Sequence, residues 1–247
     1  MFKSYDYPTK TTSVGQFNEK VIQPSLPSLI DLKVETAYFS LKEFSKLFRG
    51  IRNIYQNEGR IKLVIGLNNR IDNSLLESAL IEDLDAALIA NFDAKFFDQL
   101  ALEEDEIIKN RIALFAFLKI KNILEIKIGS MKNKLGSYHP KNYILTDSNG
   151  DIVSSTGSTN DTTNGMRYSY ESDAISLSWG GRRDSERVLQ TIQDFDTVWN
   201  GLDPEINIHD LNKKMAEHIL DQLKIENSEE GYKKVIEFLE INDIIED

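Results

Sequence analysis

Two hydrophobic rhythms run along this chain. LKVETAYFS (32–40) is a β-branched and aromatic run that predicts a strand. LKEFSKLFRGIRNIYQNEG (41–59) follows with Leu41, Phe44, Leu47, Phe48, Ile51 and Ile54 on one helical stripe that ends near Gly59. RIKLVIGLN (60–68) is apolar enough for a central, parallel strand, so the three segments make one βαβ unit. NSLLESALIEDLDAALIANFDAKFFDQL (73–100) and DEIIKNRIALFAFLKIKN (105–122) predict helices, and LEIKIGS (124–130) the next strand. YHPKNYILT and DIVSSTG flank DSNG, whose Asn-Gly pair is a strong hairpin signal. RYSYESDAISLSW (167–179) predicts a further strand. SERVLQTIQDFDTVWNGL (185–202) is an amphipathic helix with Val188, Ile192, Phe195 and Trp199 on one side.

Outside these segments the pattern changes. The first 30 residues carry Ser, Thr and Pro (PSLPSL) and read as irregular. After Pro204, IHDLNKKMAEHILDQLKIE and SEEGYKKVIEFLEINDII read as two more helices. The expected organisation is α/β: a mixed β-sheet with helices on both faces over residues 1–202, then an acidic helical appendage over 203–247.

Composition narrows the chemistry. The 247 residues are 40% hydrophobic and 28% charged, as in an ordinary globular protein. There is no cysteine, which excludes disulfides, thiolate catalysis and cysteine-based zinc sites. MFKSYDYPTKTTSVGQF has no apolar core of a signal peptide, and no run approaches the length of a membrane helix. A cytoplasmic protein with no membrane partner is the expectation. The net charge of −11 argues against non-specific nucleic-acid binding, but the charge is uneven. Residues 77–106 hold ten acids against Lys95, whereas 109–141 hold eight bases against Glu125.

That basic segment ends in the most distinctive stretch of the chain, SYHPKNYILTDSNGDIVSSTGSTNDTTNGMRYSYE (137–171). On a strand, residues i and i+2 share a face, so His139 and Lys141 point together. The hairpin folds Gly157, Ser158 and Asn160 back beside them, and Glu171 is expected three to four residues into the next strand. A histidine, a lysine, a hydroxyl, an amide and a carboxylate so gathered suit phosphoryl transfer. Neutral imidazole can attack phosphorus, cations and amides can stabilise its equatorial oxygens, and a carboxylate can hold the ring's other nitrogen. Other readings remain beside this one. Ser158 and Asn160 also read as loop caps, Glu171 as an exposed strand carboxylate, and Arg182 and Arg183 as the opening turn of a helix. Tyr138 and Tyr143 read as packing residues.

HPK followed by GSTNDTTNG and a glutamate resembles the phospholipase D superfamily, closest to its nuclease branch of restriction enzymes and helicase-linked nucleases. The matching positions are His139, Lys141, Gly157, Ser158, Asn160, Thr162, Gly165 and Glu171, within a resemblance over roughly Leu32 to Leu202. It implies a phosphodiesterase or endonuclease acting on nucleic acid, DNA before RNA, through a phosphohistidine, with neither metal nor cofactor. One histidine attacks and a second protonates the leaving oxygen. His209 and His218 lack the motif, so the resemblance implies a homodimer sharing one site. It also implies a restriction or phage-defence setting with a helicase or target-recognition subunit. The family's aspartate position holds Thr146, with Asp147 one further on, and Ser169 stands where the branch has asparagine. A phospholipid phosphodiesterase and a catalytically silent dimerisation module are the alternatives.

Overall fold

The computed structural model describes all residues except 40–43, 45–46, 67–104, 134–136, 163, 212 and 243–247. It divides into two compact units: Met1–Asn68 with Glu125–Asp210, and Asn69–Leu124 with Leu211–Asp247.

The first unit is built on a mixed, open sheet of eight strands. They are β1 (Lys10–Thr11), β2 (Leu29–Thr36), β3 (Ile61–Gly66), β4 (Leu124–Met131), β5 (Lys141–Asp147), β6 (Ile152–Gly157), β7 (Asp173–Leu177) and β8 (Ile206–Asp210). Their order is β1-β7-β6-β5-β2-β3-β4-β8. β2 and β3 are parallel, joined through helix α1 (Phe48–Gln56), as the sequence predicts. β5 pairs antiparallel with both β2 and β6, which places the Asn-Gly hairpin at the centre of the sheet.

Alternation along the strands sorts side chains between two faces. On one, Val64, Ile144 and Ile206 pack with Phe195, Val198 and Trp199 of the helix Arg182–Trp199. Lys33 lies 5.3 Å over the Phe195 ring, and Lys62 and Lys127 lie 5.0 and 4.8 Å over Trp199. Their methylene stems cover apolar surface while the ammonium groups meet ring faces. On the other face Phe17 packs on Tyr143 with centroids 4.9 Å apart, and α1 packs against β2 and the turn Leu26–Ser28.

In the second unit helix α2 (Glu106–Ile120) is capped by Asp105, whose carboxylate accepts from the backbone N–H groups of Ile107 and Ile108 at 2.8 and 3.2 Å. In chain order the helix Arg182–Trp199 is α3. Helices α4 (Lys214–Gln222) and α5 (Glu229–Asn242) pack on α2, with Phe117 edge-on to Tyr232 at 5.6 Å. No helix among the described residues is long and apolar enough to cross a membrane.

Three readings of the sequence change. The N-terminal segment is ordered: helical turns run through 18–28, and Phe2, Tyr7, Phe17, Val21, Ile22 and Leu26 are buried. INIHD after Pro204 is a strand, not the start of a helix, because it completes the sheet beside β4. Residues 211–247 group with 69–124 in the second unit. The strand expected over 167–179 begins only at Asp173, since Asn164–Tyr168 forms a wide π-helical turn. The helix expected over 73–100 lies outside the described residues.

Candidate active site

His139 stands on extended chain just before β5, and Pro140 keeps that backbone from turning helical. Two residues on, Lys141 is buried at 7% exposure and sits opposite Thr36 of β2. Its ammonium donates to the His139 carbonyl at 3.0 Å and also contacts Nδ1 of the imidazole. The two side chains thus share a face. Partial loss of water around the ring, and then the adjacent Lys141 cation, hold His139 below the ordinary imidazole value. Burial lowers Lys141 in turn, while the negative charge of Glu171 acts on it in the opposite sense. Tyr38, from the chain just beyond β2, places its ring edge-on to His139 with centroids 5.4 Å apart.

The chain after β6 is fixed to the start of β7 by side chains of the second motif. A Cβ at Gly157 would lie 2.3 Å from Asp173 Oδ1 and 2.4 Å from the Ser172 carbonyl oxygen, so only glycine allows this approach. Ser158 Oγ accepts from Ser172 N at 2.8 Å, and Ser158 N donates to Ser172 O at 3.2 Å. That pair anchors the residue next to Glu171. Buried Asp173 accepts from Thr159 N at 3.1 Å, from Thr159 Oγ1 at 2.6 Å and from Thr11 Oγ1 at 3.3 Å. Gly165 packs on the backbone of Asn160, where a Cβ would meet its carbonyl oxygen at 2.5 Å. The buried Oδ1 of Asn160 has no hydrogen-bond donor among the described residues. An acceptor left open in this way is costly unless a ligand or a moving side chain supplies a donor.

His139 and Lys141 are in contact, and Glu171 is close enough to act on Lys141 through its charge. Ser158 is committed to the loop that carries Glu171, and Asn160 lies two residues further along the same chain. Glu171 is not within a strand: it lies two residues ahead of β7, after the π-helical turn. Thr146 pairs with Asp31 and Ile152 near the far end of β5, and Asp147 is engaged in the hairpin turn. Tyr138 and Tyr143 are buried and pack, as expected; burial raises Tyr143 well above the ordinary phenol value. Arg182 opens α3 and pairs with Glu186 at 2.8 Å. His209 belongs to β8 and His218 to α4.

Sequence reasoning passed over three residues of β2 and its continuation: Glu35, Thr36 and Tyr38. One signal was available. Glu35 is an acid inside an apolar strand, and it proves to be 3% exposed.

The architecture is that of an α/β protein with a mixed sheet whose middle strands present a histidine–lysine pair at one end. No family model and no curated protein sequence matches the chain. Among solved structures it is similar to NucT from Helicobacter pylori, at 13% identity and a TM-score of 0.42 over 77% of this chain and 95% of that one. It is also similar to Nuc from Salmonella typhimurium, described as a phospholipase D family member, at 14% identity and a TM-score of 0.41 over 82% and 99% of the two chains. Phosphatidylserine synthase of Haemophilus influenzae is similar at 14% identity and a TM-score of 0.43 over 95% of this chain, which spans under half of that protein (45%). At these values the likenesses carry no functional weight, and the site's own residues must supply it.

Proposed function

We propose that this chain is a phosphodiesterase of the phospholipase D type that cleaves DNA, with one active site shared between two copies. The observation that carries the reading is the contact between His139 and Lys141 on one face of the sheet, with Glu171 acting on the same lysine. In the mechanism, a neutral imidazole nitrogen of His139 attacks phosphorus and the P–O bond to the leaving oxygen breaks. The His139 of a second copy gives that oxygen its proton. Water, deprotonated by the same second imidazole, then cleaves the N–P bond and releases the phosphate monoester. Lys141 and Asn160 are assigned to the phosphoryl oxygens.

The free protein supports a specific role for Lys141. Its ammonium now occupies Nδ1 of His139, the nitrogen that a carboxylate must hold for the other to be nucleophilic. A phosphate oxygen is the better partner for an ammonium. Substrate therefore draws Lys141 off the ring and opens Nδ1 to Glu171. Phosphate binding and activation of the nucleophile become one event.

The resemblance of the motifs to the restriction branch supports a defence setting with a helicase or target-recognition subunit. Labelled DNA incubated with the protein in EDTA tests the central reading. Cleavage is expected to persist in EDTA and to be abolished in His139→Ala. Cleavage that survives His139→Ala overturns the assignment, and a strict monomer by light scattering that remains active overturns the shared site.

A further inference from the structure

β2 ends in Glu35 and Thr36, successive residues that face opposite sides of the sheet, at 3% and 0% exposure. On the α3 side, Glu35 Oε1 accepts from Tyr138 Oη at 2.5 Å and Oε2 accepts from Asn142 Nδ2 at 2.7 Å. These two donors bracket the HPK motif, one residue before it and one after. On the opposite side Thr36 sits across from Lys141 in the β2–β5 register. Thr36 Oγ1 accepts from Asp161 N at 3.1 Å and donates to the Tyr38 carbonyl at 2.8 Å. Asp161 follows Asn160, and Tyr38 carries the ring that meets His139.

Glu35 is an expensive choice. Burial raises its pKa, and none of the hydrogen bonds it receives comes from a cation. An apolar residue at this alternating position would pack more cheaply. What the carboxyl adds is a pair of directed hydrogen bonds, one ending on β5 at Asn142 and one on the chain just before it at Tyr138, either side of His139 and Lys141.

We propose that Glu35 and Thr36 are positioning residues that brace the candidate site from both faces of the sheet. Glu35 fixes the backbone on either side of the HPK motif. Thr36 ties the loop carrying Asn160, and the Tyr38 turn, to the same strand end. Neither residue touches substrate. Their effect on turnover rests on the phosphodiesterase reading, whereas their effect on the His139 ring does not.

The test uses Thr36→Val and Tyr138→Phe, each of which removes a hydroxyl, and Thr36→Ser as the conservative rescue. Carbon–proton NMR of the three histidine rings, with His139 assigned by its loss in His139→Ala, reads position directly. A single sharp His139 signal is expected in the parent and in Thr36→Ser. Broadening or doubling confined to His139 is expected in Thr36→Val and Tyr138→Phe. On bis(p-nitrophenyl) phosphate these two variants should lose kcat by on the order of tenfold to a hundredfold with KM little changed, the cost of a small misplacement of reacting groups. Unaltered His139 signals in both hydroxyl deletions overturn the brace, as does a Thr36→Ser variant as impaired as Thr36→Val. If the parent does not hydrolyse the diester and His139→Ala changes nothing, the phosphodiesterase reading fails. The ring spectra still decide the brace.

Discussion

Strand β5 holds a buried charged residue at each end, and the fold treats the two in opposite ways. At the hairpin end, Asp147 is 0% exposed and saturated by backbone: it accepts from Phe2 N at 2.7 Å, Asn149 N at 2.9 Å and Asp151 N at 3.1 Å. At the other end, about 20 Å away at about 3.3 Å per residue, Lys141 spends its donors on the His139 carbonyl and ring, groups it can give up. On the chain after β6, the Asn160 Oδ1 acceptor has no donor among the described residues. A charge closed off by rigid backbone belongs to the fold. A charge resting on a replaceable partner is what the proposed phosphate site requires of Lys141. Asp147 is thus no displaced version of the aspartate expected at position 146; it organises the turn.

The contrast can be broken from either end. Lys141→Ala should lower kcat for diester cleavage by on the order of a hundredfold to a thousandfold, as for loss of one preorganised oxyanion donor. Its thermal midpoint should hardly move, and a large fall would place Lys141 with Asp147 as a structural charge. Asp147→Ala should do the reverse. Two buried N–H groups, of Phe2 and Asp151, lose their acceptor at about 1–3 kcal/mol each, and the half-buried N–H of Asn149 loses it at less, so urea unfolding should show a loss of about 2 kcal/mol or more, with activity per folded molecule retained. Gly157→Ala should sit between them, losing about 1–3 kcal/mol through overpacking against Asp173 and some activity, because that contact joins the GSTN loop to Ser172 and Asp173, the residues that follow Glu171.

The smallest effect concerns pH. The His139 pKa is depressed in the folded chain, so below the ordinary value near ~6.5 the unfolded chain binds more protons. Stability from this group is therefore complete above that value and is lost as pH falls from it through the lower folded value. The ring is exposed, so the change in urea midpoint between pH 8 and pH 5 should be only slightly larger in the parent than in His139→Gln. The acid limb of kcat/KM should fall below the ordinary imidazole range. An acid limb at or above that range would contradict the electrostatic setting of the site.

What was readable along the chain was local. The Asn-Gly turn, the alternation through YILT and IVSST, and the stripe of α3 are properties of neighbouring residues, and the structure reproduces them. The N-terminal segment escaped because its apolar residues are spread over several short turns, which have neither a period of two nor one of 3.6. INIHD is too short to declare itself, and the open edge of β4 made it a strand. RYSY has strand-forming residues, but the tight approach of Gly165 to Asn160 bends the chain first. For the site, motif spacing named the residues on and after the hairpin. It was silent on Glu35 and Thr36, which reach the site through Tyr138, Asn142 and Asp161, all more than a hundred residues away.

That distance along the chain also orders events in time. Only four residues separate β5 from β6, and a hairpin of this kind closes in about 1–10 μs. Pairing β2 with β5 instead brings Leu32 to Leu145, and β1 with β7 brings Lys10 to Ala174, at a larger cost in chain entropy. The stretch bearing HPK and GSTN is therefore the cheapest part of the sheet to assemble. It gathers its residues early, and it acquires their alignment only when β2 docks.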